Sequence, residues 1–184
     1  GADAERGGMG GALTVTRSLP ATARKFGHNQ PWDNARVDAA AASLSIEQVR
    51  ADHGAFFKSV HGTLSPLLAT DRVWMKRFTG EGEAPDRLDA ILYDSFPELR
   101  AARQVEDARI KAYVDALDAQ CIAGTIRYRR VSSPEAFEQQ LAPALAHWFN
   151  HQTHYRGQVH ALLSGLTGAA PELDLLFFQR QAAV

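Results

Sequence analysis

The feature that most constrains the fold is an apolar pattern that repeats every three or four residues between residues 57 and 78. Its members are Phe57, Val60, Leu64, Leu67, Leu68, Asp71, Trp74 and Phe78. Ser45 and Gln48 resemble a capping box that begins this helical region, and Gly80 ends it. Pro66 is expected to kink the helix or remove one backbone hydrogen bond. The spacing predicts a long amphipathic helix whose apolar face must be covered by other helices.

Three further long helical segments are predicted. Pro31 suits the first turn of a helix, so a helix is expected to follow an interruption at residues 27–31. Ser95 begins a strong helix of more than twenty residues. Ser133 begins the last long helix, which is predicted to extend to about Gly165. Together with the first pattern, these segments give four long helices.

The remaining segments complete a single all-α domain. Ile126 and Tyr128 alternate in a way that indicates a short strand or hairpin, and the apolar segment at residues 173–178 is expected to pack back against the helices. Four long helices, with a longer crossover between the second and third, predict a four-helix bundle. The glycine-rich residues 1–11 are predicted to be a flexible leader, and residues 12–184 the single domain.

Composition excludes several classes of function. The 184 residues carry a net charge of −1, so no basic field favours nucleic acid. No apolar run approaches the roughly 18 residues of a membrane-spanning helix, so no membrane association is expected. Cys121 is the one cysteine, which excludes a disulfide framework and favours a reducing, cytoplasmic setting.

The strongest chemical signal is the stretch HWFNHQTHYRGQ at residues 147–158. His147, His151 and His154 are separated by four and three residues, which keeps them within one sector of a helix. Two imidazoles one turn apart can bind one metal ion. The alternative is that these histidines are partly exposed and bind nothing. A metal site would need a ligand from a second helix, and His61 is the best-placed candidate.

Three segments together resemble one known family. FNHQTHYRGQVHALL, SVHGTLSPLLATDRVWMKRFTG and LDLLFFQR look like the DinB-like family, the damage-inducible group related to YfiT. The resemblance covers nearly the whole chain, from about Trp32 to Arg180. It implies a four-helix bundle of up-down-down-up topology, commonly a homodimer.

The resemblance also implies a chemistry. Three histidines of the family hold a divalent metal, often nickel or zinc, in an interior pocket. Characterised relatives include transferases and isomerases that use a low-molecular-weight thiol, mycothiol or bacillithiol, and many members are described as putative metal-dependent hydrolases. A small-molecule substrate is therefore expected.

Two positions depart from the family pattern. The family usually has histidine before the RGQ motif, where this chain has Tyr155. Relatives often read HGTLNH, with a histidine where this chain has Pro66. His151 matches one ligand and His61 matches the first histidine of HGTLNH. The two substitutions indicate that the metal site is rearranged or lost.

Two hypotheses follow. In the first, the protein is a metal-dependent hydrolase or thiol transferase with His61, His151 and His154 as ligands and His147 in reserve. Asp71 or Gln158 would then orient an imidazole. In the second, the protein is a metal-free family member that binds a small molecule or serves as a dimeric structural protein. In either case the ligand or cofactor is expected to contact Trp74, Tyr155 and Gln158.

Overall fold

A computed structural model describes residues 8–130, 133 and 135–182, with side chains from residue 18 onward. The described chain is mostly helical with one two-stranded sheet, which confirms the expected class. Its elements are α1 (Gly8–Ala42), α2 (Ile46–Arg50), α3 (Val60–Thr79), α4 (Phe96–Ala116), α5 (Ala119–Ile122), β1 (Thr125–Arg129), β2 (Ala136–Gln140), α6 (Leu141–Thr167) and α7 (Leu175–Ala182). No described helix has the length and apolarity needed to cross a membrane.

Helix α1 continues through the predicted interruption at residues 27–31, so that prediction is wrong. Pro31 lies inside the helix, and Gly27 allows a close approach to α4. A Cβ atom on Gly27 would lie 2.4 Å from Cγ2 of Val114, closer than any packed contact. Tertiary packing therefore outweighs the local helix-breaking signal. Residues 1–7 of the predicted leader lie outside the described residues, whereas its last residues, from Gly8, are helical.

The predicted helical region from Ser45 to Phe78 is divided in two. The capping box of Ser45 and Gln48 is confirmed, but the helix it begins, α2, ends at Arg50. Helix α3 starts at Val60 after an irregular segment, so the inclusion of Phe57 in the helix was wrong. Pro66 is accommodated within α3, and α3 ends as predicted at Gly80, whose φ of 76° is left-handed.

The predicted start of the last helix at Ser133 is also wrong. Residues 136–140 instead form β2, which pairs antiparallel with β1 in the register Thr125↔Gln140. The hairpin is held by stacking of Tyr128 on Phe137, at 6.0 Å between ring centroids. The hairpin confirms the strand expected around Tyr128, and α6 then begins at Leu141.

Helices α1, α3, α4 and α6 surround the core. Helix α1 contacts α4 and α6, and α3 contacts the same two helices. Asp71 of α3 contacts Gln152 of α6, and Trp74 contacts His147, so α3 and α6 are antiparallel. Trp148 of α6 is completely buried at the centre of the larger apolar cluster. The four long helices were predicted from the sequence, whereas their up-down-down-up topology stays a prediction.

The C-terminal helix α7 packs on α1, as expected for the apolar segment at residues 173–178. Trp32 Nε1 donates a hydrogen bond of 3.0 Å to Gln181 Oε1. The ring of Trp32 also lies 5.8 Å from that of Phe178. The C-terminal segment is therefore anchored against the helical core.

Candidate functional site

One face of α6 and its neighbours presents a continuous row of rings. His147, His151 and Tyr155 are spaced four residues apart and therefore lie above one another on α6. The ring centroids are separated by 6.2 Å between the histidines and by 4.3 Å between His151 and Tyr155. Trp74 of α3 extends the row at one end (5.4 Å) and Phe57 at the other (5.5 Å). These five residues form the aromatic row.

His151 is the chemically distinctive member of the aromatic row. Its side chain is half-buried, and its Nδ1 atom is buried without a hydrogen-bond partner. Burial lowers the pKa of His151, and this effect outweighs the opposing influence of the Asp71 carboxylate. The neighbouring His147 and His154 lower it further. His151 is therefore a neutral imidazole near pH 7 that has an unused polar atom.

His61 is directed away from this row. It is 5% exposed, and its Nε2 atom lies 2.8 Å from the carbonyl oxygen of Tyr93. Because a carbonyl only accepts hydrogen bonds, Nε2 carries the proton and Nδ1 is left buried without a partner. His61 lines a separate cavity of about 620 Å³, together with Arg50 and Ser95.

The antiparallel arrangement explains why His61 does not meet His151. Asp71 is level with Gln152, the neighbour of His151. His61 precedes Asp71 by ten residues of α3, which corresponds to about 15 Å along a helix axis. Two imidazoles that share one metal ion each place a nitrogen about 2.1 Å from it. The axial offset, together with the hydrogen bond of His61 to Tyr93, keeps the two imidazoles apart as placed.

The other predicted ligands lie beside the aromatic row. The exposed ring of His154 meets Tyr155 edge-on at 5.7 Å, and its Nε2 is 3.0 Å from Gln158 Nε2. Gln158 thus contacts His154, whereas the hydrogen bonds of Asp71 go to Arg103, Trp148 and Gln152. Within the ranges that the structure describes, no three His, Cys, Asp or Glu side chains are arranged to hold a metal ion. The set of His61, His151 and His154 does not fit one ion as placed, and no chemistry is derived from a metal.

Behind the aromatic row, Asp71 is the centre of a buried polar cluster. It is completely buried and accepts three hydrogen bonds. The donors are Arg103 at 2.6 Å, Trp148 Nε1 at 2.8 Å and Gln152 Nε2 at 2.7 Å. Its carboxylate therefore ties α3 to both α4 and α6.

The cluster continues to α1 through a second arginine. Arg103 forms an ion pair of 2.8 Å with Asp107, which accepts a 2.9 Å hydrogen bond from Asn34. Arg156 pairs with Asp33 at 3.1 Å and is 3% exposed. Burial raises the pKa of Asp33 to about 6, even though Arg156 opposes the shift. The buried ionic network is defined as Asp33, Asn34, Asp71, Arg103, Asp107, Gln152 and Arg156.

The buried ionic network is not predicted in the sequence analysis, although the sequence carries two signals for it. Asp71 occupies a position in the apolar pattern of α3, where a carboxylate must be buried and paired. Arg103 and Asp107 are four residues apart on α4, the spacing of a helical ion pair. The sequence alone does not show that these residues face each other across helices.

Comparison with protein families gives an independent assignment. The model of the DinB family matches residues 21–183, nearly the whole chain. Comparison with curated proteins and with solved structures found no match. The family match confirms the resemblance carried by the motifs around His61 and His151. The chain belongs to the DinB family.

Proposed function

We propose that this DinB-family protein binds a small organic molecule against the aromatic row. The observation that carries the proposal is the unpartnered Nδ1 atom of His151, buried beside the rings of Tyr155 and His147. A buried polar atom without a partner costs about 1–3 kcal/mol, and a ligand that hydrogen-bonds to it recovers that energy. Small-molecule sites are usually lined by apolar and aromatic side chains with a few convergent polar groups.

The neutral state of His151 supports the same role. A neutral imidazole has one nitrogen that donates and one that accepts a hydrogen bond, so it can meet either kind of ligand group. Tyr155, stacked on His151 at 4.3 Å, fixes the orientation of the imidazole and supplies ring surface for an apolar ligand part. The proposed contacts are therefore a hydrogen bond at His151 and ring packing on its neighbours.

The metal-dependent hydrolase or thiol-transferase activity that the motifs imply rests on family membership. The placement of His61 against Tyr93 supports the metal-free alternative instead. For the overall architecture, we propose the up-down-down-up four-helix bundle. The antiparallel packing of α3 on α6 supports this arrangement. So does that of α1 on α4, where Arg24 contacts Leu117 and Asn34 contacts Asp107.

Ligand-detected NMR with phenol and benzamide as probes tests the ligand proposal. For fragments of this size we expect dissociation constants of about 1–10 mM. Tyr155→Ala and His151→Ala should each weaken binding of phenol by about tenfold, because each removes one of the proposed contacts.

His160→Ala is the matched control, because His160 lies on α6 and has no ring contact with the aromatic row. It should leave the affinity for phenol unchanged. Equal loss of binding in the His151 and His160 variants would contradict the proposal, as would a natural protein that binds neither probe.

A further inference from the structure

A groove of about 890 Å³ opens beside the end of the aromatic row that holds Trp74 and His147. It lies between α3, the β1–β2 hairpin and the irregular segment at residues 86–89. Arg77 and Arg130 both line it. The groove therefore joins a ring-lined surface to two guanidinium groups.

Arg77 packs against two aromatic rings, those of Trp74 and Tyr128, which also contact each other at 5.8 Å. Its guanidinium carbon lies 4.6 Å from the ring centroid of Trp74 and 4.5 Å from that of Tyr128. Two cation–π contacts restrain the position of the guanidinium group. The Nε atom of Arg77 is buried without a hydrogen-bond partner. Arg77 is thus preorganised and has an unused donor.

Arg130 places a second positive charge in the same groove. Its guanidinium lies 4.2 Å from the ring centroid of Phe137. Burial lowers the pKa of Arg77, and the nearby Arg130 lowers it further, as expected for like charges. Among the residues with described side chains, no carboxylate forms an ion pair with either arginine.

The acidic side chains of the groove do not cancel this charge. Asp89 is already bound by Arg87 through two hydrogen bonds, of 3.0 and 2.9 Å. That pair is neutral in sum, which leaves Asp86 as the remaining carboxylate against Arg77 and Arg130. Two positive charges and one negative charge give a net charge of +1, so an anion is the ligand that the groove favours.

We propose that this groove binds a small organic oxyanion, a carboxylate or a phosphate ester, between Arg77 and Arg130. The apolar part of the ligand packs on Trp74 and Tyr128 and extends toward His147. Guanidinium groups recognise both kinds of oxyanion through paired, charge-assisted hydrogen bonds. This inference rests on the proposed function, because the groove continues the aromatic row, and it adds the chemical class of the ligand.

Calorimetric titration with benzoate, phenyl phosphate and neutral benzamide tests the proposal. Benzoate or phenyl phosphate should bind about tenfold more tightly than benzamide, because one charge-assisted hydrogen bond gives a difference of that size. The comparison of the two anions shows which oxyanion the groove prefers. The affinity for the anions should fall as salt is added, whereas that for benzamide should not.

Arg77→Gln and Arg130→Gln should each remove most of this preference for anions. The matched control is Arg36→Gln, because Arg36 also lies over a tryptophan ring, at 4.5 Å from Trp32, but outside the groove. Arg130 is exposed, so its variant keeps the test valid if Arg77→Gln fails to fold.

Equal affinity for benzoate, phenyl phosphate and benzamide would overturn the proposal, as would arginine variants that behave like Arg36→Gln. If phenol binds through His151 and Tyr155 but the anions show no dependence on Arg77 or Arg130, the inference fails while the proposed function stands. If none of the probes binds, both fail.

Discussion

Asp71→Ala is expected to lower the free energy of unfolding by about 3–5 kcal/mol, because it removes one partner of a buried ion pair. The carboxylate is completely buried and accepts hydrogen bonds from Arg103, Trp148 and Gln152. Its removal leaves three buried donors without an acceptor. One of them belongs to Arg103, whose pKa is raised by Asp107 and Asp71 against the effect of burial, so this side chain stays charged.

Urea denaturation at neutral pH measures this effect. Asp89→Ala is the matched control, because Asp89 also pairs with an arginine but its side chain is 58% exposed. A solvated surface ion pair contributes little, so the control should leave the urea midpoint nearly unchanged. A loss of less than about 1 kcal/mol in Asp71→Ala would show that the network does not hold the helices together.

Arg156→Met is expected to cost about 3–5 kcal/mol at pH 8 and distinctly less at pH 5. Arg156 pairs with Asp33, whose pKa in the folded protein is about 6 rather than 3.8. The raised pKa means that the contribution of Asp33 to stability is fully present below pH 3.8 and is lost as the pH rises through about 6. Without Arg156 this pKa rises further, so the penalty is greatest in alkaline solution and small where Asp33 is protonated.

A second substitution tests that explanation. Asp33→Asn removes the charge that Arg156→Met leaves unpaired, so the double variant should recover much of the stability lost at pH 8. Thermal unfolding of the natural protein, the two single variants and the double variant at pH 5 and pH 8 completes the double-mutant cycle. A loss that is independent of pH, or a double variant no more stable than Arg156→Met, would contradict the ionic origin.

Much of the fold could be predicted from helical spacing and capping residues, but the uninterrupted course of α1 and two helix boundaries could not. The segment around Phe57 continues the apolar period of α3 because Phe57 packs on Tyr155 from outside the helix. The spacing of apolar residues shows which side chains are buried, but it does not show whether the backbone is helical at that point. Ser133 has the appearance of a helix start, yet residues 136–140 satisfy their backbone groups by pairing with β1.

The candidate site was predicted in part for similar reasons. Spacing along one helix predicted that His147, His151 and His154 share one sector, because that relation is fixed by helix geometry. In the structure it is Tyr155 that stacks on His151, at 4.3 Å between ring centroids. The partner from α3 could not be found in the same way. The axial offset between two helices depends on side-chain packing, and here it aligns Asp71 with Gln152 and carries His61 toward Tyr93.

We propose that the aromatic row, rather than a three-histidine metal centre, is the binding site of this family member. The most direct test is a zinc titration followed by ¹⁵N NMR of the histidine side chains. We predict that His61 keeps its proton on Nε2 and that its signals do not move when one equivalent of zinc is added. The opposite result would be binding of one zinc ion per chain, with the signals of His61, His151 and His154 shifting together. That result would contradict the proposed binding site.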